Sequence, residues 1–279
     1  MVSDSPFGWC FLICCYKVMK VLELFSGTHS VGKVCKERGW DVLSLDSEID
    51  ADIRVDIMEW DYTKYKPGDF DIVWASPPCR TFSRLRSCNI GRRIKEHGDT
   101  VITREIIESD MRTKGLPLLY RTLDIIFYLE PKYWFIENPY SSKMKQFMTG
   151  VPKYVVDYCK YSDWGYKKRT NIWTNVEGFT PKLCRNDCEN IITIPTLSGD
   201  MHTGYNTPIK GATRTLHLNP IGSKDKLKII NERRIHARMV DGGYDKRKPA
   251  VNRVKGTTTK DRGRVPAKLI EDLFDACEF

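Results

Sequence analysis

The chain has 279 residues, enough for one large domain or for a core domain with a small appended one. Hydrophobic residues make up 41% of the chain and aromatic residues 11%, which excludes an intrinsically disordered protein. The formal net charge of +9 by itself identifies no partner, so the placement of the basic residues matters more than their number.

The ten cysteines have no regular spacing, and the chain is long for a disulfide-stabilised scaffold. We therefore expect an intracellular protein. The apolar run at residues 9–15 lacks the flanks of a signal peptide and is too short to span a membrane, so we expect no membrane association. Met19 directly precedes the first predicted strand, and residues 1–18 are predicted to be an N-terminal extension.

Short apolar runs alternate with helical segments in the first half of the chain. Strands are predicted at Lys20–Phe25, Asp41–Leu45, Phe70–Ala75 and Tyr133–Ile136. Helices are predicted at Ser30–Arg38 and at Leu118–Leu129, the second with an inward face of Leu119, Leu123, Ile126 and Phe127. This alternation predicts an α/β fold with a mostly parallel sheet covered by helices on both faces, which binds ligands at the carboxyl ends of its strands.

Polar residues follow the first predicted strands. Gly27, between Ser26 and Thr28, would let backbone amides approach a ligand, although an ordinary strand-to-helix turn explains one glycine equally well. Asp46 ends the second strand, where a carboxylate commonly holds ribose hydroxyls, and Asp56 is suited to bind an adenine amino group. In this order and spacing, these residues indicate an adenosyl cofactor.

Two later clusters carry groups able to react with or bind a substrate. In Ser76-Pro77-Pro78-Cys79, two prolines fix the backbone and project a thiol that can act as a nucleophile, unless Cys79 is simply a buried small side chain. Glu137, followed by Asn138, could hydrogen-bond the ring nitrogen and exocyclic amine of a pyrimidine. A helix-capping cluster ahead of Ser141 is the alternative for Glu137 and Asn138.

Three cysteines allow a metal site in the second half of the chain. Cys184 and Cys188 have a spacing found among zinc ligands, and Cys159 or His202 could complete a site. A lone pair of cysteines is more often incidental, so the sequence alone predicts no metal and leaves zinc as an alternative.

The order of these motifs resembles the DNA (cytosine-5)-methyltransferase family, and in particular the compact forms of bacteriophages and large DNA viruses. The phrases WASPPC, PKYWFIENP and KRTNIWTN carry much of the likeness, which is weakest at residues 195–263. The matching residues are Phe25-Ser26-Gly27, Asp46, Asp56, Pro77-Pro78-Cys79 with Phe82-Ser83, Glu137-Asn138, Arg169 and Val265-Pro266.

The resemblance implies a Rossmann-like methyltransferase fold that uses S-adenosylmethionine to methylate carbon 5 of a cytosine flipped out of double-stranded DNA. It implies that Cys79 attacks carbon 6, Glu137 binds the ring, Asn138 holds the glutamate and its backbone, and Arg169 supports the base or its phosphate. The residues implied to bind the cofactor are Phe25, Ser26, Gly27, Thr28, Asp46, Asp56, Pro77 and Val265.

A change of pattern after Asn175, where apolar runs become few, divides the chain into regions. Residues 19–175 form the expected catalytic domain, and residues 263–279 form a helix that returns to it. Between them, residues 176–262 form a small basic target-recognition region, since residues 205–264 contain 16 Lys and Arg against 5 Asp and Glu. We expect a monomer, located in the cytoplasm or, for a viral protein, also in the host nucleus.

Three departures from the family pattern keep alternatives open. His29 replaces a second glycine, Lys167-Lys168-Arg169-Thr170-Asn171 keeps one arginine of a Gln-x-Arg-x-Arg signature, and the asparagine expected in the segment at residues 262–265 is absent. The alternatives are a catalytically inactive DNA-binding protein, an amino-group (N4-cytosine or N6-adenine) methyltransferase, and an RNA cytosine methyltransferase. An amino-group enzyme would have an aromatic side chain in place of Cys79.

Overall fold

A computed structural model describes residues 17–48, 50–199, 206–217 and 263–278. The strands are β1 (Lys20–Leu24), β2 (Asp41–Asp46), β3 (Ile53–Arg54), β4 (Ile72–Ala75), β5 (Tyr133–Pro139), β6 (Lys153–Asp157), β7 (Arg169–Thr174), β8 (Ile191–Gly199) and β9 (Asn206–His217). The α-helices are α1 (Ser30–Glu37), α2 (Arg104–Asp110), α3 (Leu116–Leu129) and α4 (Ala267–Asp275).

Shorter helical turns lie in the connections between these elements. One turn of π-helix, Met111–Gly115, joins α2 to α3. The 3₁₀ turns are Tyr62–Lys64, Arg84–Asn89, Lys95–His97, Lys143–Gln146 and Tyr158–Lys160.

Seven strands form one sheet in the order β3-β2-β1-β4-β5-β7-β6. Strand β7 is antiparallel to both of its neighbours, and the remaining pairs are parallel. The predicted fold class, a mostly parallel mixed sheet within an α/β fold, is confirmed. Strands β8 and β9 form a separate antiparallel pair.

Helices cover both faces of the sheet because its central strands are buried on both sides. In β4, Ile72 and Trp74 point into one hydrophobic cluster, which includes side chains of α1 and α4. Val73 and Ala75 point into a second cluster, which includes side chains of α3. All four residues are at most 1% exposed, which explains why this strand is a continuous apolar run rather than an alternating one.

Helix α3 buries two of the four side chains that were predicted to face inward, Leu119 and Ile126. The buried side chains are Leu119, Thr122, Ile125, Ile126 and Leu129. Phe127, predicted to face inward, is 84% exposed, and Leu123 is only partly buried. Both fall one helical step beyond the buried stripe, because a period of 3.6 residues places Phe127 about 100° around the axis from Ile126.

Helix α4 packs into the same hydrophobic cluster as α1. Leu269, Ile270, Leu273 and Phe274 are fully buried there, and the Phe274 ring meets Trp74 edge-on at 6.3 Å between centroids. Helix α4 therefore belongs to the same hydrophobic cluster as β1 and β4, far from it in the sequence. Within the part of the chain that the structure describes, no helix is both long and apolar enough to cross a membrane.

Candidate active site

The parallel register brings the predicted site residues to one edge of the sheet. Leu24 of β1 pairs with Leu45 of β2 and with Ala75 of β4, and Ala75 pairs with Ile136 of β5. The next residue of each strand therefore lies in one row, which consists of Phe25, Asp46, Ser76 and Glu137. The edge that sequence analysis selected for ligand binding is thus built by four adjacent strands.

The turn after β1 is held in an unusual backbone conformation. Phe25, Gly27 and His29 all have positive φ angles, between 53° and 57°. The Gly27 N–H donates to Asp46 Oδ2 at 3.0 Å, and the buried Ser26 hydroxyl donates to the Leu45 carbonyl at 3.0 Å. Hydrogen bonds to the end of β2 therefore hold the turn at Phe25–His29, which we call the backbone cradle, in a fixed shape.

His29 occupies the position where the family pattern has a second glycine, and its conformation explains how. The residue lies in the left-handed region (φ 53°, ψ 40°), which histidine adopts more readily than most residues with side chains. Its Nε2 lies 3.0 Å from the Asp50 carbonyl oxygen. The departure from the pattern changes the side chain but keeps the turn.

Glu23 links β1 to the start of α1, a role that sequence analysis missed because the residue stands inside an apolar strand. Its two carboxylate oxygens accept from the backbone N–H groups of Val31 and Gly32, each at 3.1 Å, at the start of α1. A Cβ on Gly32 would lie 3.0 Å from Glu23 Oε2, so glycine permits this close approach. Burial raises the pKa of Glu23 to about 7, despite those two bonds.

Replacing Glu23 with glutamine should remove a pH dependence of stability. The pKa is raised from 4.5 to about 7, so the folded protein binds the proton more tightly, and this group's stabilisation falls as pH rises through that interval. At about 1.4 kcal/mol per pKa unit, the stability of Glu23→Gln relative to the unmodified protein should rise by about 3 kcal/mol between pH 4.5 and 7.5.

Urea unfolding at several pH values measures this difference. Glu37→Gln, which changes an exposed carboxylate on α1, is the control and should leave the difference between variant and parent constant. A constant difference for Glu23→Gln as well would contradict the raised pKa.

The remaining predicted cofactor residues come from separate segments of the chain. The Val265 N–H donates to Ser30 Oγ at 3.2 Å, and that hydroxyl lies 2.9 Å from Thr28 Oγ1. Pro77 is buried at the end of β4. Asp56 is exposed, and its Oδ1 accepts from the Met58 N–H at 2.9 Å, which stabilises the turn after β3.

Cys79 stands on a turn that is fixed from both neighbouring strands. The Ser76 N–H donates to the Leu24 carbonyl of β1 at 3.2 Å. On the other side, Asn138 Nδ2 of β5 donates to the Pro77 carbonyl at 2.9 Å. Cys79 itself is exposed, which rules out the alternative of a buried, structural side chain.

The segment after Cys79 is anchored by Phe82, which is 1% exposed. The Phe82 carbonyl accepts from the Lys143 N–H at 2.9 Å, and a Cβ on Gly115 would lie 3.1 Å from the Phe82 ring. Within this segment, Arg86 is buried in an ion pair with Asp110. The exposed basic residues of the segment are Arg80, Arg84, Arg92, Arg93 and Lys95.

Glu137 is buried at 6% exposure and is held by two residues that sequence analysis missed. The Tyr158 hydroxyl donates to Glu137 Oε1 at 2.9 Å, and Lys168 Nζ lies 3.3 Å from the same oxygen. Burial raises the pKa of Tyr158 well above its usual value, so its hydroxyl remains a donor. Glu137 lies within strand β5 and not in a helix cap, so the capping alternative is wrong.

Arg169 is positioned by Asp157. Its Nε and Nη2 donate to the two carboxylate oxygens of Asp157 at 2.9 and 2.7 Å, while its side chain stays 39% exposed. Burial alone would raise the pKa of Asp157, but hydrogen bonds from Arg169 and from the Cys184 N–H hold it below its usual value. The Arg169 guanidinium therefore has a fixed orientation next to Tyr140, whose ring centroid is 6.0 Å away.

A seven-stranded α/β sheet with one reversed strand, a cysteine on the turn after β4 and a glutamate on the adjacent β5 defines a Rossmann-like enzyme of the methyltransferase class. The chain is 43% identical over 263 residues to "Probable DNA (cytosine-5)-methyltransferase" of Frog virus 3 (isolate Goorha), covering 93% of this chain and 100% of the relative. The chain belongs to the DNA (cytosine-5)-methyltransferase family. The predicted family and enzyme class are therefore confirmed, and the viral relative agrees with the predicted likeness to compact viral forms.

The similarity of the chain to solved structures is much weaker. No protein-family model matches the chain. The S. pombe Dnmt2 methyltransferase is 10% identical, with a TM-score of 0.40 over 93% of this chain and 98% of that one. A Spodoptera frugiperda DNMT2 mutant is 17% identical, with a TM-score of 0.36 over 59% of this chain and about half (53%) of that one. TM-scores this low do not indicate a shared function.

Proposed function

We propose that this protein transfers a methyl group from S-adenosylmethionine to carbon 5 of a cytosine flipped out of double-stranded DNA. In the proposed reaction, the Cys79 thiolate adds to carbon 6 of the ring, and the electron pair released at carbon 5 takes the methyl group. Loss of the proton from carbon 5 then expels the thiolate and restores the ring. The observation that carries this proposal is the hydrogen bond from Asn138 to Pro77, which couples the Cys79 turn to the Glu137 strand.

The surroundings of Glu137 support its role in activating the ring. A buried carboxylate that is already oriented by Tyr158 and Lys168 can meet the amidine edge of cytosine without rearranging. The carboxyl group would accept from the exocyclic amine and share a proton with the ring nitrogen, which draws electrons from carbon 6, where the thiolate attacks. Arg169, oriented by Asp157, would support the base or its phosphate.

The residues at the ends of β1 and β2 fit an adenosyl cofactor. Asp46 is fixed by N–H groups of Gly27 and Glu48, at 3.0 and 2.8 Å, which leaves its carboxylate in one orientation for ribose hydroxyls. The cradle at Phe25–His29 brings backbone within reach of a ligand without intervening side-chain bulk at Gly27. The cofactor supplies the methyl group on a sulfonium, and the chain's role is to hold it beside Cys79.

The basic segment at residues 205–264 is proposed to grip the DNA backbone, because neutralised phosphates supply most of the sequence-independent affinity. Of this segment, the structure describes residues 206–217 and 263–264. Residues 200–205 and 218–262 of the predicted target-recognition region lie outside the described residues.

Incubation with DNA and S-adenosylmethionine carrying a labelled methyl group tests the function, with nucleoside analysis of the product. We expect label in 5-methylcytosine. Label in N4-methylcytosine or N6-methyladenine would support the amino-group alternative and contradict the proposal. Transfer to transfer RNA but not to DNA would make RNA the substrate. Cofactor and DNA binding without transfer to either nucleic acid would support the inactive DNA-binding alternative.

A further inference from the structure

Four side chains outside the proposed active site converge on one point. Cys159, Cys184, Cys188 and His217 each present one ligand atom, and all four atoms lie within 4.8 Å of one another. The three cysteines are buried, and His217 is partly buried. The His217 Nε2 lies 3.5 Å from the Cys184 sulfur and 3.4 Å from the Cys188 sulfur.

These distances match a tetrahedral zinc site. With Zn–S bonds of about 2.3 Å and Zn–N bonds of about 2.0 Å, two tetrahedral ligands of these types lie about 3.5 Å apart. Three residues separate Cys184 from Cys188, which is within the range of two to four found between paired cysteine ligands of zinc. A disulfide would use two of the sulfurs and would give the third sulfur and the imidazole no reason to converge.

The fourth ligand differs from the one that the sequence suggested. His202, the candidate named there, lies outside the described residues. His217 ends β9 and pairs with Ile191 at the start of β8, only three residues after Cys188. The strand pairing therefore brings the histidine to the cysteines across a long separation in sequence.

The cluster joins the β8–β9 pair to the sheet that carries the active site. Cys159 lies in the turn that follows β6, directly after Tyr158, whose hydroxyl bonds Glu137. The Cys184 N–H donates to Asp157 at 2.8 Å, the carboxylate that orients Arg169. Asn190 Nδ2 also donates to the Cys159 carbonyl at 3.1 Å, which fixes the spacing between the two halves of the cluster.

We propose that Cys159, Cys184, Cys188 and His217 bind one structural Zn²⁺ ion. All four coordination positions are filled by protein, so the site has no open position for a water or substrate and its role is structural. The ion would fix the base of the β8–β9 pair against the turn after β6. This inference does not depend on the proposed methyl transfer.

Metal analysis of the full chain, purified without added zinc, tests the proposal. We expect about one zinc per chain in the parent protein, and loss of zinc in Cys184→Ser and in Cys188→Ser. Cys88→Ser, which removes an exposed cysteine elsewhere, is the matched control and should keep the metal. A parent protein without zinc that also fails to bind added zinc would overturn the proposal, as would alkylation and mass analysis that find a disulfide among the three cysteines.

A second pair of variants separates metal binding from folding. His217→Cys should retain one metal, and after replacement of zinc by Co²⁺ its absorption bands should shift to those of a four-thiolate site. His217→Ala should bind Co²⁺ more weakly than the parent. Equal affinity and an unchanged cobalt spectrum in both variants would exclude His217 as a ligand and overturn the four-ligand site.

Discussion

Replacing Cys79 with serine should abolish methyl transfer to DNA. A serine hydroxyl is a far weaker nucleophile than a cysteine thiolate, so we expect a loss of at least about 10⁴-fold in kcat. Affinity for S-adenosylmethionine should stay within about twofold, because Gly27, Asp46 and Val265 are untouched. Labelled-methyl transfer and calorimetric titration of the cofactor measure the two quantities.

The covalent bond between Cys79 and the cytosine can be detected directly. DNA that contains 5-fluorocytosine lacks the carbon-5 proton whose loss expels the thiolate, so the protein should remain attached to it on a denaturing gel. The Cys79→Ser variant should form no such complex. Cys88→Ser, a change of another exposed cysteine, should behave as the parent protein does in both assays. Activity retained in Cys79→Ser would eliminate the proposed mechanism.

Replacing Glu137 with glutamine should lower kcat by about 10²- to 10³-fold with little change in KM for DNA, in the range of a lost acid–base contribution. Glutamine keeps an oxygen that can accept from the Tyr158 hydroxyl, so the local structure should survive. What it loses is the ability of the carboxyl group to give a proton to the ring nitrogen, which an amide cannot do at neutral pH. Single-turnover kinetics under saturating DNA measure the chemical step.

Two further measurements distinguish this role from a structural one. Glu177→Gln, which changes an exposed carboxylate after β7, should leave kcat unchanged. The thermal unfolding temperature of Glu137→Gln should lie close to that of the parent. A variant that unfolds normally and keeps full activity would show that Glu137 does not act on the ring.

Much of the fold could be predicted from local patterns. The strands β1, β2, β4 and β5 were predicted within a residue or two, apart from the longer end of β5, because burial on both faces requires a continuous apolar run. The same patterns predicted that the polar residues following these strands share one edge. Strands β3, β6, β7, β8 and β9 were missed. The apolar runs of β3 and β6 are very short, and polar residues interrupt the other three strands.

The sequence by itself determined the family, the carboxyl edge of the sheet and the cysteine that the proposed reaction uses, since these depend on residue types at short spacings. Only the tertiary structure decided which groups hold that edge in place. Tyr158 and Lys168 bond Glu137, Asp157 bonds Arg169, and Glu23 bonds the start of α1. It also decided that His217 meets the three cysteines and that Phe127 faces outward. Such contacts join residues far apart in the chain, and their geometry depends on strand order and register, which no local pattern encodes.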